Sequence, residues 1–190
     1  MTFLYHRRQM TGRLALALFA AFMLSCGSPA TSGSTAEDAL SRGLQAHTAG
    51  KLDEATTAYF ETLAKDSKNK FAFYNLGVIA QGQGRAAAAE SYYRLALEQD
   101  AKMTSALFNL AILRGVAGAN QESADLYRRV IAVEPNNAPA HFNLGLVLRL
   151  LGQTAEAQTE LTKAQQLDAK LVAPSPSASP ARQASPSPTR

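Results

Sequence analysis

The sequence predicts an all-α solenoid: four helical hairpins stacked side by side. Three observations predict it. Gly50, Gly84, Gly118 and Gly152 end four similar segments at a constant spacing of 34 residues. Five residues after each glycine stands a small residue: Ala55, Ala89, Ser123 or Ala157. Four residues further stands a large one: Tyr59, Tyr93, Tyr127 or Leu161. A spacing of four puts each small–large pair on one helical face. A hairpin of this size cannot bury its apolar face alone, so successive units must stack.

The repeats span residues 36–69, 70–103, 104–137 and 138–171. Ser34-Thr35-Ala36-Glu37 reads as a capping box opening the first helix. Repeat one diverges most, with Arg42 where the other first helices carry a leucine. Those are Leu76-Gly77, Leu110-Ala111 and Leu144-Gly145, and the small second residue lets a neighbouring helix approach closely. Ala96 and Ala164 fill a further small position, held by Thr62 and Val130 in the other repeats. Glu134-Pro135-Asn136-Asn137 is an inter-repeat turn: Pro stops one helix and Asn caps the next. The period and these positions resemble the tetratricopeptide repeat. The resemblance covers some 136 of the 190 residues. It implies a right-handed superhelix with one concave groove lined by first helices. Such arrays often end in an extra solvating helix, and none follows repeat four. Leu161, Ala164 and Leu167 are therefore expected to lie partly open, offering an uncapped end for homo-oligomerisation or a partner.

The chain ends carry other signals. Arg7, Arg8 and Arg13 precede the apolar run Leu14–Leu24 without an acid between them. Eleven residues make a helix of only ~16 Å, short of a ~30 Å hydrocarbon core, so residues 1–25 read as a secretory signal. Twin-arginine export fits Gln9-Met10-Thr11 poorly. Met23-Leu24-Ser25-Cys26 resembles the lipobox of bacterial lipoproteins, with Leu24 departing from the commonest pattern. A plain signal peptide with an incidental cysteine is the alternative. The resemblance implies that Cys26 carries acyl chains, including palmitate, and becomes the first mature residue. Two or more chains anchor stably. Gly27, in place of an aspartate retention signal, then implies the periplasmic face of an outer membrane where one exists, and otherwise the outer face of the cytoplasmic membrane. Residues 26–35 form a Gly/Ser/Thr/Pro tether. Residues 172–190 form a Pro/Ser-rich tail that cannot bury enough surface to fold.

Charge and composition exclude several classes. The net charge of +4 belongs to the ends; the body between Cys26 and Ala169 holds 13 basic and 15 acidic residues. A nucleic-acid-binding domain carries its basic stripe on the folded part, so no nucleic-acid partner is expected. One cysteine excludes an internal disulfide framework. No HExxH, GxSxG, P-loop or Asp-rich calcium loop appears. Gly82-Gln83-Gly84 joins two helices and lacks the strand a phosphate loop follows. His47 and His141 fall at different repeat positions. No enzyme, cofactor or metal is expected.

The groove is the candidate functional surface. Asn75, Asn109 and Asn143 are equivalent, and Tyr74, Phe108 and Phe142 precede them. Asn both donates to and accepts from a peptide backbone, and an aromatic supplies apolar area at low entropy cost. Val78, Ile112 and Leu146 widen the apolar strip, and Arg149 adds one cation in repeat four. The same aromatics also suit packing. The family's carboxylate clamp is absent: its positions hold Phe71, Ser105, Pro139 and the asparagines. The expectation is a membrane-anchored adaptor that binds an envelope protein or peptide and supports a pilus, secretion or cell-wall assembly. A self-associating scaffold and an accessory regulator of a cell-wall enzyme are the alternatives.

Overall fold

The computed structural model describes residues 34–172 of the chain. The signal segment, Cys26 and the tail beyond Val172 lie outside the described residues. Eight helices occupy the described part: α1 (Ala36–Thr48), α2 (Leu52–Lys65), α3 (Lys70–Gly82), α4 (Ala86–Gln99), α5 (Thr104–Val116), α6 (Asn120–Val133), α7 (Ala138–Leu150) and α8 (Thr154–Leu167). Each hairpin packs on the next, giving an all-α superhelical stack.

Local chemistry sets each boundary. Asn69 and Asn137 cap α3 and α7, their side chains accepting from the amides of Ala72 and Ala140. At α1 the capping box sits one residue later than the expected Ser34…Glu37. Thr35 is the cap and Asp38 its reciprocal partner. Ser34 is engaged elsewhere: its hydroxyl donates to Glu61 at 3.1 Å and accepts from Arg42 at 3.2 Å. Within each hairpin the turn glycine takes a left-handed φ of 71–79°. That conformation lets the next amide reach back five residues, from Lys51 to Ala46, Arg85 to Ala80, Ala119 to Arg114 and Gln153 to Leu148, at 2.8–2.9 Å. These are Schellman closures, and they favour a residue without a Cβ.

The hairpins close around one recurring contact. A Cβ on Gly43 or Gly77 would lie 2.5 or 2.6 Å from the ring of Tyr59 or Tyr93, and on Gly145 it would lie 2.6 Å from Leu161 Cγ. The glycine is thus a cradle for the large residue of the second helix. Repeat one keeps this cradle in Gly43 although its neighbour is Arg42. Repeat three has Ala111 instead, with Ser123 Oγ donating to the Ala111 carbonyl at 2.7 Å.

Two of the three residues expected to lie partly open at the C-terminal end are buried. Leu161 and Ala164 are 7% and 0% exposed, buried within their own hairpin, and Leu167 is half-buried. The outward side of α8 is polar: Gln158, Thr159, Thr162, Lys163 and Gln166. Register explains this. Leu63, Leu97 and Ile131 pack against the core from α2, α4 and α6, and the equivalent residue of α8 is the exposed Gln165. Gln158 likewise stands where α6 buries Ala124. The outward face of α8, the last described helix, is therefore polar. At the other end Arg42 replaces the buried leucine and pairs with Glu61 at 2.6 Å.

Burial of the three second-helix tyrosines makes stability depend on alkaline pH. Burial pushes the phenols of Tyr59, Tyr93 and Tyr127 up to about 12. The unfolded phenols ionise near 10. The sign follows: the stabilisation is complete below pH 10 and is lost as pH rises through 10 toward 12. Urea midpoints are expected to be flat from pH 8 to 10 and to fall steeply above it. Ionisation of these rings near pH 10 with the helices intact, seen by tyrosinate absorbance and circular dichroism, would contradict this.

Candidate functional site

The first helices bring one face of repeats two, three and four together in a concave pocket of about 420 Å3. Its lining is Tyr74 from α3; Thr104, Ser105, Phe108 and Asn109 from α5; Pro139 from α7; and Glu134 and Asn137 from the turn before it. The 34-residue period places these groups, because it returns each first helix to the same side of the stack.

Of the residues predicted from sequence, the pocket gathers Tyr74, Phe108 and Asn109. Asn75, Phe142, Asn143 and Arg149 do not line it, and Arg149 sits in the last turn of α7. The three asparagines, equivalent in sequence, are used differently. Asn75 donates to the Phe71 carbonyl in its own helix at 2.8 Å. Asn109 donates to the Tyr93 hydroxyl at 3.2 Å, with Tyr74 Oη at 3.4 Å. Asn143 makes no side-chain hydrogen bond with another described residue. The aromatics also serve packing: Phe108 meets Tyr127 edge-on at 5.4 Å, and Tyr74 tilts on Tyr93 at 5.9 Å. One side of these rings therefore supports the stack while the other lines the pocket.

Glu134 was legible in the sequence only as a turn residue. Its carboxylate accepts from Thr104 Oγ1 at 2.6 Å and from Asn137 Nδ2 at 2.7 Å. These two donors hold it below the usual carboxylate range. Among the pocket-lining residues it is the one charge. The arrangement offers an apolar wall, neutral donors and acceptors, and one fixed anion. It suits non-covalent binding of an extended segment.

Two other features are structural. Arg94 and Arg114 form a closed ring of ion pairs with Glu90 and Glu122, at 2.7–3.0 Å, tying α4 to α5 and α6. Burial raises the Glu122 carboxyl, and hydrogen bonds from both arginines outweigh it and hold the group low. A larger concavity of about 690 Å3 is lined by α1, α2 and the turn between them. Arg42, Lys51, Asp53, Glu54 and Glu61 make its walls charged.

A solenoid of helical hairpins presenting a first-helix groove defines a class: a repeat scaffold for macromolecular contacts. The comparisons place it more closely. Two family models described as tetratricopeptide repeat match residues 40–104 and 126–159. The chain is built of tetratricopeptide repeats. No curated protein sequence matches it. Its fold is similar to a crystal structure of MamA, at 20% identity and TM-score 0.66, over 73% of this chain and 81% of that one. MamA 41-end from Desulfovibrio magneticus RS-1 is similar at 18% identity and TM-score 0.66, over 73% and 78%. A tetratricopeptide repeat protein from Parabacteroides merdae ATCC 43184 is similar at 23% identity and TM-score 0.65, over 73% and 55%. At these identities the likeness concerns the fold.

Proposed function

We propose that this chain is a non-catalytic adaptor that binds a protein or peptide in its first-helix groove and holds it at the bacterial cell envelope, in support of a pilus, secretion or cell-wall assembly. The observation that carries the reading is the pocket between repeats two and four. An aromatic wall faces a fixed carboxylate and hydrogen-bonding groups, without a nucleophile–base pair beside them. The fold supports it, since tetratricopeptide repeats serve protein–protein contacts. The envelope address rests on the signal and lipobox resemblance of residues 1–26. Anchoring through an acylated Cys26 raises effective concentration, so modest groove affinity suffices.

Two variants test the two halves of the reading. Cys26→Ser is expected to move the protein from the membrane to the soluble fraction. A variant that stays membrane-bound contradicts the lipid anchor. Ser105→Phe fills the pocket with the side chain that repeat two carries at the equivalent Phe71, so the fold should persist. In-cell crosslinking, capture and mass spectrometry are expected to lose the principal partner in Ser105→Phe. Full retention of every partner contradicts the groove reading.

A further inference from the structure

We propose that the pocket selects a peptide bearing a lysine or arginine, whose cation meets Glu134 while its stem lies along Phe108 and Tyr74. This rests on the groove reading above and adds the chemistry of the partner.

Comparison of the four repeats carries the inference. Every second helix is followed by an acid at the same register: Asp66, Asp100, Glu134 and Asp168. Three of these have a structural task. The carboxylates of Asp66, Asp100 and Asp168 accept from the backbone amide two residues on, at 3.0–3.1 Å, and so close the loop. The residue supplying that amide is a lysine each time: Lys68, Lys102 and Lys170. Asp100 is paired further with Lys70, at 2.7 Å.

Repeat three departs at every one of these points. Its acid is the longer Glu134, and Pro135 follows it. The lysine two residues on is replaced by Asn136. The residue equivalent to Lys70 is Thr104. Glu134 is thus the one acid of the series with a neutral residue at both flanking register positions. Its carboxylate makes no loop-closing bond with the amide two residues on. Thr104 and Asn137 turn it toward the pocket instead, which no lysine or arginine lines. These donors use two of about four lone-pair directions and leave its charge uncancelled.

The surroundings fit a cationic side chain. The alkyl stem of lysine or arginine covers apolar surface while its head stays polar, and a cation gains from a nearby aromatic face. An acidic segment or a free C-terminal carboxylate would meet repulsion at Glu134. The occupant is therefore a basic segment of a partner protein.

The test is a peptide array of dodecamers whose centre is arginine, lysine, alanine or glutamate, flanked by mixed apolar and small residues, probed with the full chain. Arg- and Lys-centred peptides are expected to be retained about tenfold over Ala-centred ones, and Glu-centred ones least. Glu134→Gln keeps the shape and should abolish the preference. Asn136→Lys copies the other three repeats and Thr104→Lys copies repeat two, so both should fold, and each should reduce the preference severalfold. Equal retention of Arg- and Ala-centred peptides by the native chain overturns the proposal. So does an Arg preference untouched by all three variants. If the preference is absent but Ser105→Phe still lowers retention of every peptide, the groove reading survives and the cation claim fails. If Ser105→Phe changes nothing, the groove reading itself fails.

Discussion

Tyr93→Ala lowers the stability of the stack by about 3–5 kcal/mol, as truncation of a buried aromatic does. Tyr93 is fully buried in the hollow left by Gly77, where even a methyl would overlap its ring. Its hydroxyl donates to Gln81 Oε1 at 2.6 Å and accepts from Asn109 at 3.2 Å. Truncation therefore opens a cavity, frees two polar partners and loosens α5 on its groove side. The array is quasi-one-dimensional, so a lesion in repeat two also removes the interface that repeat three folds against. Against a typical total of about 5–15 kcal/mol, this is a large fraction. Tyr93→Leu should recover part of the loss, because Leu161 fills the equivalent cradle against Gly145. Urea denaturation monitored by circular dichroism measures both. An unchanged midpoint for Tyr93→Ala would remove the cradle from the account of stability.

The second large effect is expected at His141. It is 6% exposed, and both ring nitrogens are used. Nε2 donates to the Pro135 carbonyl at 3.0 Å, and Nδ1 shares a 2.5 Å hydrogen bond with Glu160 Oε2. One imidazole therefore joins the turn before α7, α7 itself and α8. His141→Ala leaves the Pro135 carbonyl without its donor and the half-buried Glu160 carboxyl without its partner, and it removes packing volume, for a loss of about 3 kcal/mol. Hydrogen exchange should show α7 and α8 opening first. His141→Ala with native protection in α8 would show that the last hairpin holds without this link. The residue is a structural joint.

Period was the most legible property of this chain. First helices begin at Ala36, Lys70, Thr104 and Ala138, at the repeat boundaries read from the glycines. Periodicity is a backbone property, and each turn needs its own left-handed glycine, so the signal repeats in the letters. The capping box slipped by one residue because Ser34 is drawn to Glu61 and Arg42, across a distance in sequence that local reading does not see. The C-terminal cap was overlooked because it is not an added helix. It is Gln165 in place of Leu63, Leu97 and Ile131, with Gln158 in place of Ala124 of repeat three. The site was half legible. Register placed Tyr74, Phe108 and Asn109 on the groove, but it treated the three asparagines as alike. Only side-chain geometry shows that Asn109 is tied to the Tyr93 cradle and Asn75 to its own helix. Glu134 had a signal that position-by-position comparison of repeats exposes: the lysine of the other three repeats gives way to Asn136, and Lys70 of repeat two to Thr104.

The central claim is that partners meet this protein on its first-helix face. Two exposed phenylalanines allow that to be measured directly. Phe71 opens α3 on the groove side, at 48% exposure, and Phe60 lies on the second helix α2, at 49%. Replacing each in turn with a photocrosslinking phenylalanine analogue preserves ring and helix. Irradiation in cells is expected to capture a partner from position 71, to lose it when Ser105→Phe is added, and to capture little from position 60. Equal capture from both positions, or capture from position 60 alone, would contradict the account.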